Sequence, residues 1–142
     1  MTTVRQLLER KGRAVFSVKP DDPVLEAVRM MADRHVGALL VMSADELQGI
    51  VSERDYARKV ILHGRSSADT PVAQIMSSPV VTVSLGQTVQ DCMQLMTERR
   101  LRHLPVVEAG KVIGMISIGD LLKALLEEQQ QTIQQLETYI HS

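Results

Sequence analysis

Aromatic residues and cysteines are scarce in this chain of 142 residues. Phe16, Tyr56 and Tyr139 are the aromatic residues, and Cys92 is the single cysteine. A lone cysteine excludes an internal disulfide and a cysteine-rich zinc site. The core must therefore be built from Val, Ile, Leu and the eight methionines. No stretch reaches the roughly 20 apolar residues that cross a bilayer, and the N-terminus lacks an apolar signal segment. We expect a soluble protein of the cytoplasm.

An excess of charge of one sign is also missing. The 16 basic residues nearly balance the 17 acidic ones, which leaves a net charge of −1. Such a chain has no overall field that attracts nucleic acid or a membrane surface. The densest basic cluster, Arg99, Arg100, Arg102 and His103, is small and has no interleaved aromatic side chains. A nucleic-acid partner is therefore not expected.

The chain matches itself when it is shifted by 65 positions, which indicates an internal duplication. Identical pairs include Val15 and Val80, Met31 and Met96, Gly49 and Gly114, Ser52 and Ser117, and Asp55 and Asp120. In each copy a short apolar strand precedes a helix with apolar residues at i, i+3, i+4 and i+7, and a hairpin and a second helix follow. The pattern predicts an α/β (α+β) fold of two tandem β-α-β-β-α repeats packed about a pseudo-two-fold axis, with a long C-terminal helix.

The predicted boundaries are 1–66 for the first repeat with an N-terminal helix, 67–126 for the second repeat, and 127–142 for a C-terminal helical extension. Together they form one integrated module. Asp22 is a candidate cap before Pro23, and Thr70 is a candidate cap for a short helix that begins at Pro71. Both faces of the central strands are expected to be covered, because "LLVM" and "PVV" are apolar without alternation.

The motifs "GIVSERD" and "GMISIGD" lie where the last strand of each copy ends and its final helix begins, and we call them the serine–aspartate phrases. One interpretation is a capping box, in which the serine caps the helix and the acid three positions later reaches back. Aspartate reaches back less well than the commoner glutamate. The other interpretation is a binding site. A carboxylate there could accept hydrogen bonds from two neighbouring hydroxyls of a ribose, and the helix N-terminus would suit a phosphate.

The duplicated unit, the strand "RHLPVVE" and the repeated closing phrase resemble a tandem pair of cystathionine β-synthase (CBS) domains, a Bateman module, over roughly residues 4–126. The short chain and "SERDYARKV" resemble the stand-alone CBS-pair proteins. The resemblance implies two clefts that bind AMP, ADP, ATP or NAD, whereas the arginines make S-adenosylmethionine less favoured. It implies no required cofactor. No metal site is predicted, because the four histidines lack ligand spacing, and Cys92 falls on a core helix face.

The resemblance also assigns ligand contacts to particular residues. For the ribose hydroxyls these are Asp55 and Asp120, and beside the phosphates Ser52, Ser117, Arg54 and Gly119. Around adenine they are Phe16, Gly37 and Ala38 in one cleft and Val81, Arg102 and His103 in the other. Arg102 and His103 are also candidates for a phosphate clamp. Because copy one has Arg54 where copy two has Gly119, the two sites are expected to be unequal.

The expected function is non-catalytic regulation by adenine nucleotides, that is, sensing of energy or redox state, with a separate target protein as the output. A homodimer would form through the repeat helices and the C-terminal helix. In that helix, the apolar residues Leu122, Leu126, Ile133, Leu136 and Ile140 form a stripe that only Gln129 interrupts, and the stripe must be buried against something. The alternative is a ligand-free interaction or dimerisation scaffold, in which the serine–aspartate phrases are only helix caps.

Overall fold

The computed structural model describes residues 1–141 of the chain. Its residues group into two compact units. The first-repeat unit is Val15–Val81, and the second-repeat unit combines Met1–Ala14 with the chain from Thr82 onward. The elements in chain order are α1 (Val4–Lys11), β1 (Ser17–Val18), α2 (Val24–Arg34), β2 (Ala38–Ser43), β3 (Glu46–Ser52), α3 (Glu53–Tyr56), a π-helical segment (Ala57–Ile61), a 3₁₀ turn (Val72–Gln74), α4 (Val89–Arg99), β4 (His103–Glu108), β5 (Lys111–Ser117) and α5 (Ile118–His141).

The sheets follow the predicted repeat. In the first-repeat unit β1 pairs parallel with β2, and β2 pairs antiparallel with β3. In the second-repeat unit β4 pairs antiparallel with β5. The short apolar strand predicted before the first helix of this copy, "PVVTV" at 79–83, is reduced to one parallel bridge between Val83 and Val106. The mixed fold of two repeats with a long C-terminal helix is thereby confirmed. The pseudo-two-fold packing of the repeats stays a prediction.

The two hairpins turn at the predicted connections. Ala44 and Asp45 have φ values of 49° and 66°, and Ala109 and Gly110 have values of 51° and 78°. Positive φ at both central residues is the geometry of a type I′ turn, whose twist matches that of the paired strands. Four consecutive residues of β2, Ala38 to Val41, are buried, so both faces of this strand are covered as expected.

Two predicted caps are wrong. Pro23, and not Asp22, is the N-cap of α2, and its side chain has no polar atom for a capping bond. The Asp22 carboxylate instead accepts the N–H of Lys19 at 2.9 Å. The Thr70 hydroxyl donates to the backbone oxygen of Ser66 at 2.7 Å. In both places the short polar side chain bonds to the loop before the helix, which is the usual competitor of a cap.

The two segments that flank the repeats each pack into the unit of the other repeat, and the predicted repeat boundaries 1–66 and 67–126 stay a prediction. Helix α1 belongs to the second-repeat unit, where the N–H of Val4 donates to the oxygen of Gln87 at 2.8 Å. The segment that contains the 3₁₀ turn belongs to the first-repeat unit, where Ile50 and Ser77 exchange backbone hydrogen bonds. Both segments carry similar apolar residues, so their pattern cannot tell which sheet each one covers.

Helix α5 spans 24 residues, and Leu121 and Ala124 are its buried residues. Across residues 1–141 no helix combines the length and the apolar character that a membrane crossing requires.

The two matched glycines of β3 and β5 explain how the flanking segments fit onto the sheets. A Cβ atom at Gly49 would lie 2.6 Å from the Sδ of Met76 and 3.0 Å from the backbone oxygen of Ser77. A Cβ atom at Gly114 would lie 2.9 Å from two methyl carbons of Leu8, which is only 1% exposed. Glycine is required at both positions for this close approach.

We therefore expect Gly49→Ala and Gly114→Ala each to lower the free energy of unfolding by about 1–3 kcal/mol, the usual cost of overpacking. Urea denaturation of the three single variants measures this. Gly86→Ala is the matched control, because a Cβ atom there meets nothing within 4 Å, and its stability should stay within about 0.5 kcal/mol of the parent. Equal stability of Gly114→Ala and Gly86→Ala would contradict the packing described.

Candidate functional site

Each serine–aspartate phrase occupies the junction between a strand and a helix. Ser52 ends β3 and has the extended angles φ −128° and ψ 166°, and α3 begins at the next residue. Ser117 ends β5 in the same way, directly before α5. The first N–H groups of a helix have no partner within it, so a hydroxyl at this position is well placed to accept one.

Both junctions are complete capping boxes. The N–H of Asp55 donates to the Ser52 hydroxyl at 3.2 Å, and the N–H of Ser52 donates to the Asp55 carboxylate at 2.9 Å. The corresponding distances for Ser117 and Asp120 are 3.2 and 2.8 Å. The predicted capping geometry is therefore present at both junctions, and the binding interpretation stays a prediction. The aspartate closes the box although it is shorter than glutamate, because the extended serine brings its own N–H close to the carboxylate.

Each acid also pairs with a lysine. The Nζ of Lys59 lies 3.1 Å from the Oδ1 of Asp55 and donates to the backbone oxygen of Ile75 at 2.9 Å. The Nζ of Lys11, in α1, lies 2.5 Å from the Oδ2 of Asp120 and donates to the oxygen of Met115 at 2.6 Å. The two lysines place a positive charge beside equivalent aspartates, but they come from elements that are not equivalent. Lys59 belongs to the π-helical segment after α3, and Lys11 belongs to α1.

Neither lysine is among the residues predicted from the sequence. Lys59 could have been found, because it lies four positions after Asp55 and such a pair meets on one helix face. Lys11 lies 109 positions before Asp120, and only the packing of α1 onto the second-repeat unit brings them together.

The environment of Asp120 favours its ionised form. Burial alone would raise the pKa of Asp120, but the hydrogen bond from Lys11, the N–H of Ser117 and the positive charge of Lys11 together outweigh it, so the pKa lies below its ordinary value. The pKa of His103 is lowered by burial and by the charges of Lys11 and Arg102, with Asp120 opposing. At neutral pH His103 is therefore an uncharged imidazole, which can donate a hydrogen bond to a phosphate but adds no positive charge.

The predicted residues of the first-repeat unit gather at one end of its sheet. Ala38 lies opposite Ser52 in the strand register, and the oxygen of Gly37 accepts the N–H of Glu53 at 3.1 Å. Phe16 directly precedes β1, and its oxygen accepts the N–H of Leu40 at 3.1 Å. The guanidinium of Arg34 lies 5.0 Å from the centre of the Phe16 ring, within the range of a cation–π contact.

The second-repeat unit has the same arrangement. His103 lies opposite Ser117, and the oxygen of Arg102 accepts the N–H of Ile118 at 2.9 Å. Arg102 and Gly119 are exposed, as is Arg54 in the other unit. Val81 is the last residue of the first-repeat unit, so its predicted place beside His103 stays a prediction.

A small cleft of about 160 Å³ lies beside Asp120 within the second-repeat unit. Its lining is Thr2, Leu7, Arg10, Lys11, Asp120, Lys123, Ala124 and Glu127. Arg10 pairs with Glu127 at 2.8 Å, so much of the charge in the cleft is already neutralised. Pockets for drug-sized ligands measure roughly 300–1,000 Å³, and this cleft is large enough only for one part of a nucleotide.

The possible metal ligands and the single cysteine are the remaining reactive side chains of the described part of the chain. Among residues 1–141 no three or more His, Cys, Asp or Glu side chains are grouped so as to hold a metal ion. Cys92 is buried, and burial together with the charge of Asp91 raises the pKa of its thiol to about 11. The thiol is therefore protonated at neutral pH, as expected for a small buried apolar residue.

In sequence and in fold, the chain is similar to known proteins that contain CBS domains. The family model of the CBS domain matches residues 4–62 and 72–127. The CBS domain-containing protein CBSX3, mitochondrial, of Arabidopsis thaliana is 40% identical in an alignment of 148 positions. The alignment covers 98% of this chain and 72% of that protein. A solved protein with CBS domains from Burkholderia ambifaria is 50% identical, with a TM-score of 0.87 and coverage of 90% and 96%.

A more distant similarity concerns the fold alone. The CBS domain pair of protein MJ0100, solved in complex with 5′-methylthioadenosine and S-adenosyl-L-methionine, has a TM-score of 0.80 at 18% identity. The alignment covers 90% of this chain and 98% of that one.

The contact between Lys11 and Asp120 predicts a coupled change in two pKa values. In Lys11→Met the pKa of Asp120 should rise, because its carboxylate loses a hydrogen bond and a positive neighbour. The pKa of His103 should also rise, because a charge that opposes its protonation is gone. NMR titration of both side chains measures this, and Arg13→Met, at an exposed residue near α1, is the control. An unchanged pKa of Asp120 in Lys11→Met would contradict the contact.

The same contact predicts how stability depends on pH. Since the folded-state pKa of Asp120 lies below its ordinary value of 3.8, the carboxylate stabilises the fold fully above that value, and this stabilisation is lost as the pH falls through the folded-state pKa. The stability difference between the parent and Asp120→Asn should therefore shrink on acidification below about pH 4, as measured by urea denaturation from pH 7 to pH 2.5. A difference that grows on acidification would contradict the lowered pKa.

Proposed function

The chain belongs to the CBS domain family, and from this premise we propose that it is a regulatory protein that binds adenine nucleotides. In this proposal it senses energy or redox state, has no catalytic activity of its own and acts on a separate target protein. The observation that carries the proposal is the pair of matched strand-to-helix junctions, each of which offers a serine hydroxyl, an aspartate carboxylate and the N-terminus of a helix.

The ribose would bind to the carboxylates of Asp55 and Asp120. A carboxylate has about four acceptor positions, so an acid that caps a helix can still accept from a hydroxyl. At Asp120 the Ser117 N–H and Lys11 both bond to Oδ2, and Oδ1 carries neither of them. At Asp55 the Ser52 N–H bonds to Oδ2 and Lys59 pairs with Oδ1. These contacts support unequal sites, with ribose binding easier at Asp120.

The phosphates would lie beside Ser52 and Ser117, where the positive end of the helix dipole favours an anion. Arg54 and Arg102 are exposed and can reach outward as phosphate partners, and His103 and the backbone of Gly119 would complete the second site. Adenine would lie at the sheet ends, beside Phe16, Gly37 and Ala38 in one unit and beside Val81, Arg102 and His103 for the other copy.

The arginines favour AMP, ADP, ATP or NAD over S-adenosylmethionine, because a guanidinium group binds phosphate through two parallel hydrogen bonds and S-adenosylmethionine has no phosphate. The distant CBS pair of MJ0100 carries S-adenosyl-L-methionine and 5′-methylthioadenosine. What all these molecules share is adenosine, so the proposal concerns the adenosine class, and the arginines are the reason for ranking phosphorylated members first.

A second candidate function is a ligand-free interaction or dimerisation scaffold. It is favoured by the observation that both acids already have full local roles, since each closes a capping box and pairs with a lysine. In either function we propose a homodimer formed through the repeat helices and α5, with no nucleic-acid or membrane partner. A cytoplasmic location is part of the proposal, although the plant relative is named as mitochondrial.

A thermal-shift panel distinguishes the two candidates. Purified protein is heated with AMP, ADP, ATP, NAD, S-adenosylmethionine or 5′-methylthioadenosine. A ligand present at 100 times its dissociation constant should add about 2.7 kcal/mol to the free energy of unfolding, and we expect at least one phosphorylated ligand to do so. The scaffold predicts the same melting temperature in every case, and that result would refute the sensor. Phosphate release from any nucleotide in the same samples would contradict the non-catalytic assignment.

Substitution of the acids separates capping from binding. Asp55→Asn, Asp120→Asn and the control Asp91→Asn each alter a capping-box acid, since Asp91 forms the box of α4 with Thr88. All three should lose up to about 1 kcal/mol of stability without ligand. Only the first two should also weaken nucleotide binding, by about tenfold or more, as measured by calorimetry. Equal affinity in Asp91→Asn and Asp120→Asn would show that Asp120 is only a cap.

A further inference from the structure

The second half of α5 stands away from the compact part of its unit. The buried residues of this helix, Leu121 and Ala124, lie in its first two turns, and every residue from 129 to 141 is exposed. Five aliphatic side chains are nevertheless present on the exposed surface, at fractions of 48% to 73%: Leu122, Leu126, Ile133, Leu136 and Ile140. A row of this length is more than the scattered apolar residues of an ordinary surface.

The spacing of the row is that of a coiled coil. With Gln129 included, successive positions lie four, three, four, three and four residues apart, which is the alternation of d and a positions in a heptad. Isoleucine occupies the last two a positions, and leucine occupies the first and last d positions. Isoleucine at a with leucine at d favours two strands in parallel dimers. Gln129, at the central d position, is the single polar residue.

We propose that α5 forms a parallel, in-register two-stranded coiled coil with α5 of a second copy of this chain. In it the Gln129 amides of the two copies face and hydrogen-bond each other. The proposal rests on the homodimer of the proposed function and adds its orientation and register. We call the six positions from Leu122 to Ile140 the α5 seam.

The competing arrangement is an antiparallel pair, and the composition of the seam decides against it. In an antiparallel pair, each a position faces a d position of the other copy. Gln129 of each copy would then face Ile133 of the other, so two glutamines would lack a polar partner. This pairing would also bring Lys123 near Glu137 of the other copy. A buried amide without a partner weakens association roughly 5- to 150-fold, whereas an exposed ion pair strengthens it about 5-fold at most. The two unpaired amides therefore outweigh the two ion pairs.

The parallel arrangement has a consequence for the candidate site. Asp120 lies in the first turn of α5, only nine residues before Gln129. At a rise of about 1.5 Å per residue this is roughly 14 Å along the helix. A parallel coiled coil thus places the two Asp120 sites of the dimer at the same end, and an antiparallel one would place them at opposite ends.

Cysteine cross-linking of the full-length chain tests the orientation. Gln129→Cys should form a disulfide-linked dimer under mild oxidation, because position 129 of one copy faces position 129 of the other. Gln131→Cys is the matched control on the outer face, and it should stay at least tenfold less cross-linked. The parent, whose Cys92 is buried, sets the background. An equimolar mixture of Gln129→Cys and Ile133→Cys, read by mass spectrometry, should give the two homodimers.

A mixed 129–133 disulfide as the main product would overturn the parallel assignment and leave the homodimer standing. Sedimentation tests the seam itself. Leu136 is 57% exposed, so Leu136→Lys should keep the fold but raise the dissociation constant of the dimer at least tenfold, whereas Gln131→Lys should not. A Leu136→Lys protein that dimerises like the parent would refute the seam, and a monomeric parent would refute the homodimer. Nucleotide binding is measured separately, so its failure cannot be confused with these outcomes.

Discussion

The capping box between a strand-ending serine and the aspartate three residues later is the interaction on which the candidate site depends. It satisfies the N–H of the aspartate in the first turn of the helix and the N–H of the serine that ends the strand, and it holds the carboxylate against the end of the sheet. Because the serine belongs to the strand and the aspartate to the helix, the two hydrogen bonds also set the direction in which the helix leaves the sheet. Everything else at the site, from the paired lysines to the exposed arginines, is positioned relative to this junction.

The aspartate of each copy pairs with a lysine, but the lysine comes from a different element in the two copies. Each half-buried aspartate needs a positive partner, and Asp55 finds it one helical turn away in Lys59, whereas Asp120 finds it in Lys11 of α1. A partner on the same helix moves with the acid, but a partner on another element depends on how that element is packed. Duplication of the sequence has therefore preserved the acid without preserving its surroundings. In the proposed function this is a physical basis for two sites of unequal affinity, and α1 would be part of one site and not of the other.

Helix α5 connects the candidate site with the proposed dimer. Its first turn carries the Asp120 cap, and the exposed α5 seam runs from Leu122 to Ile140 along the rest of the helix. A helix is stiff along its axis, so a ligand that moved its first turn would also move the seam. Ligand binding shifts an equilibrium between two arrangements only if the ligand contacts them differently.

The sequence by itself determined the features that are encoded locally. The order of helices and hairpins, the capping boxes and the spacing of the seam follow from neighbours within a few positions. The period of 65 residues is read directly by comparing the sequence with itself. Tertiary structure decided what depends on distant partners. It placed α1 in the second-repeat unit, brought Lys11 to Asp120 and seated Leu8 against Gly114. The apolar pattern of α1 would fit either sheet, and a residue more than a hundred positions away leaves no periodic signal, so these contacts exist only once the chain is packed.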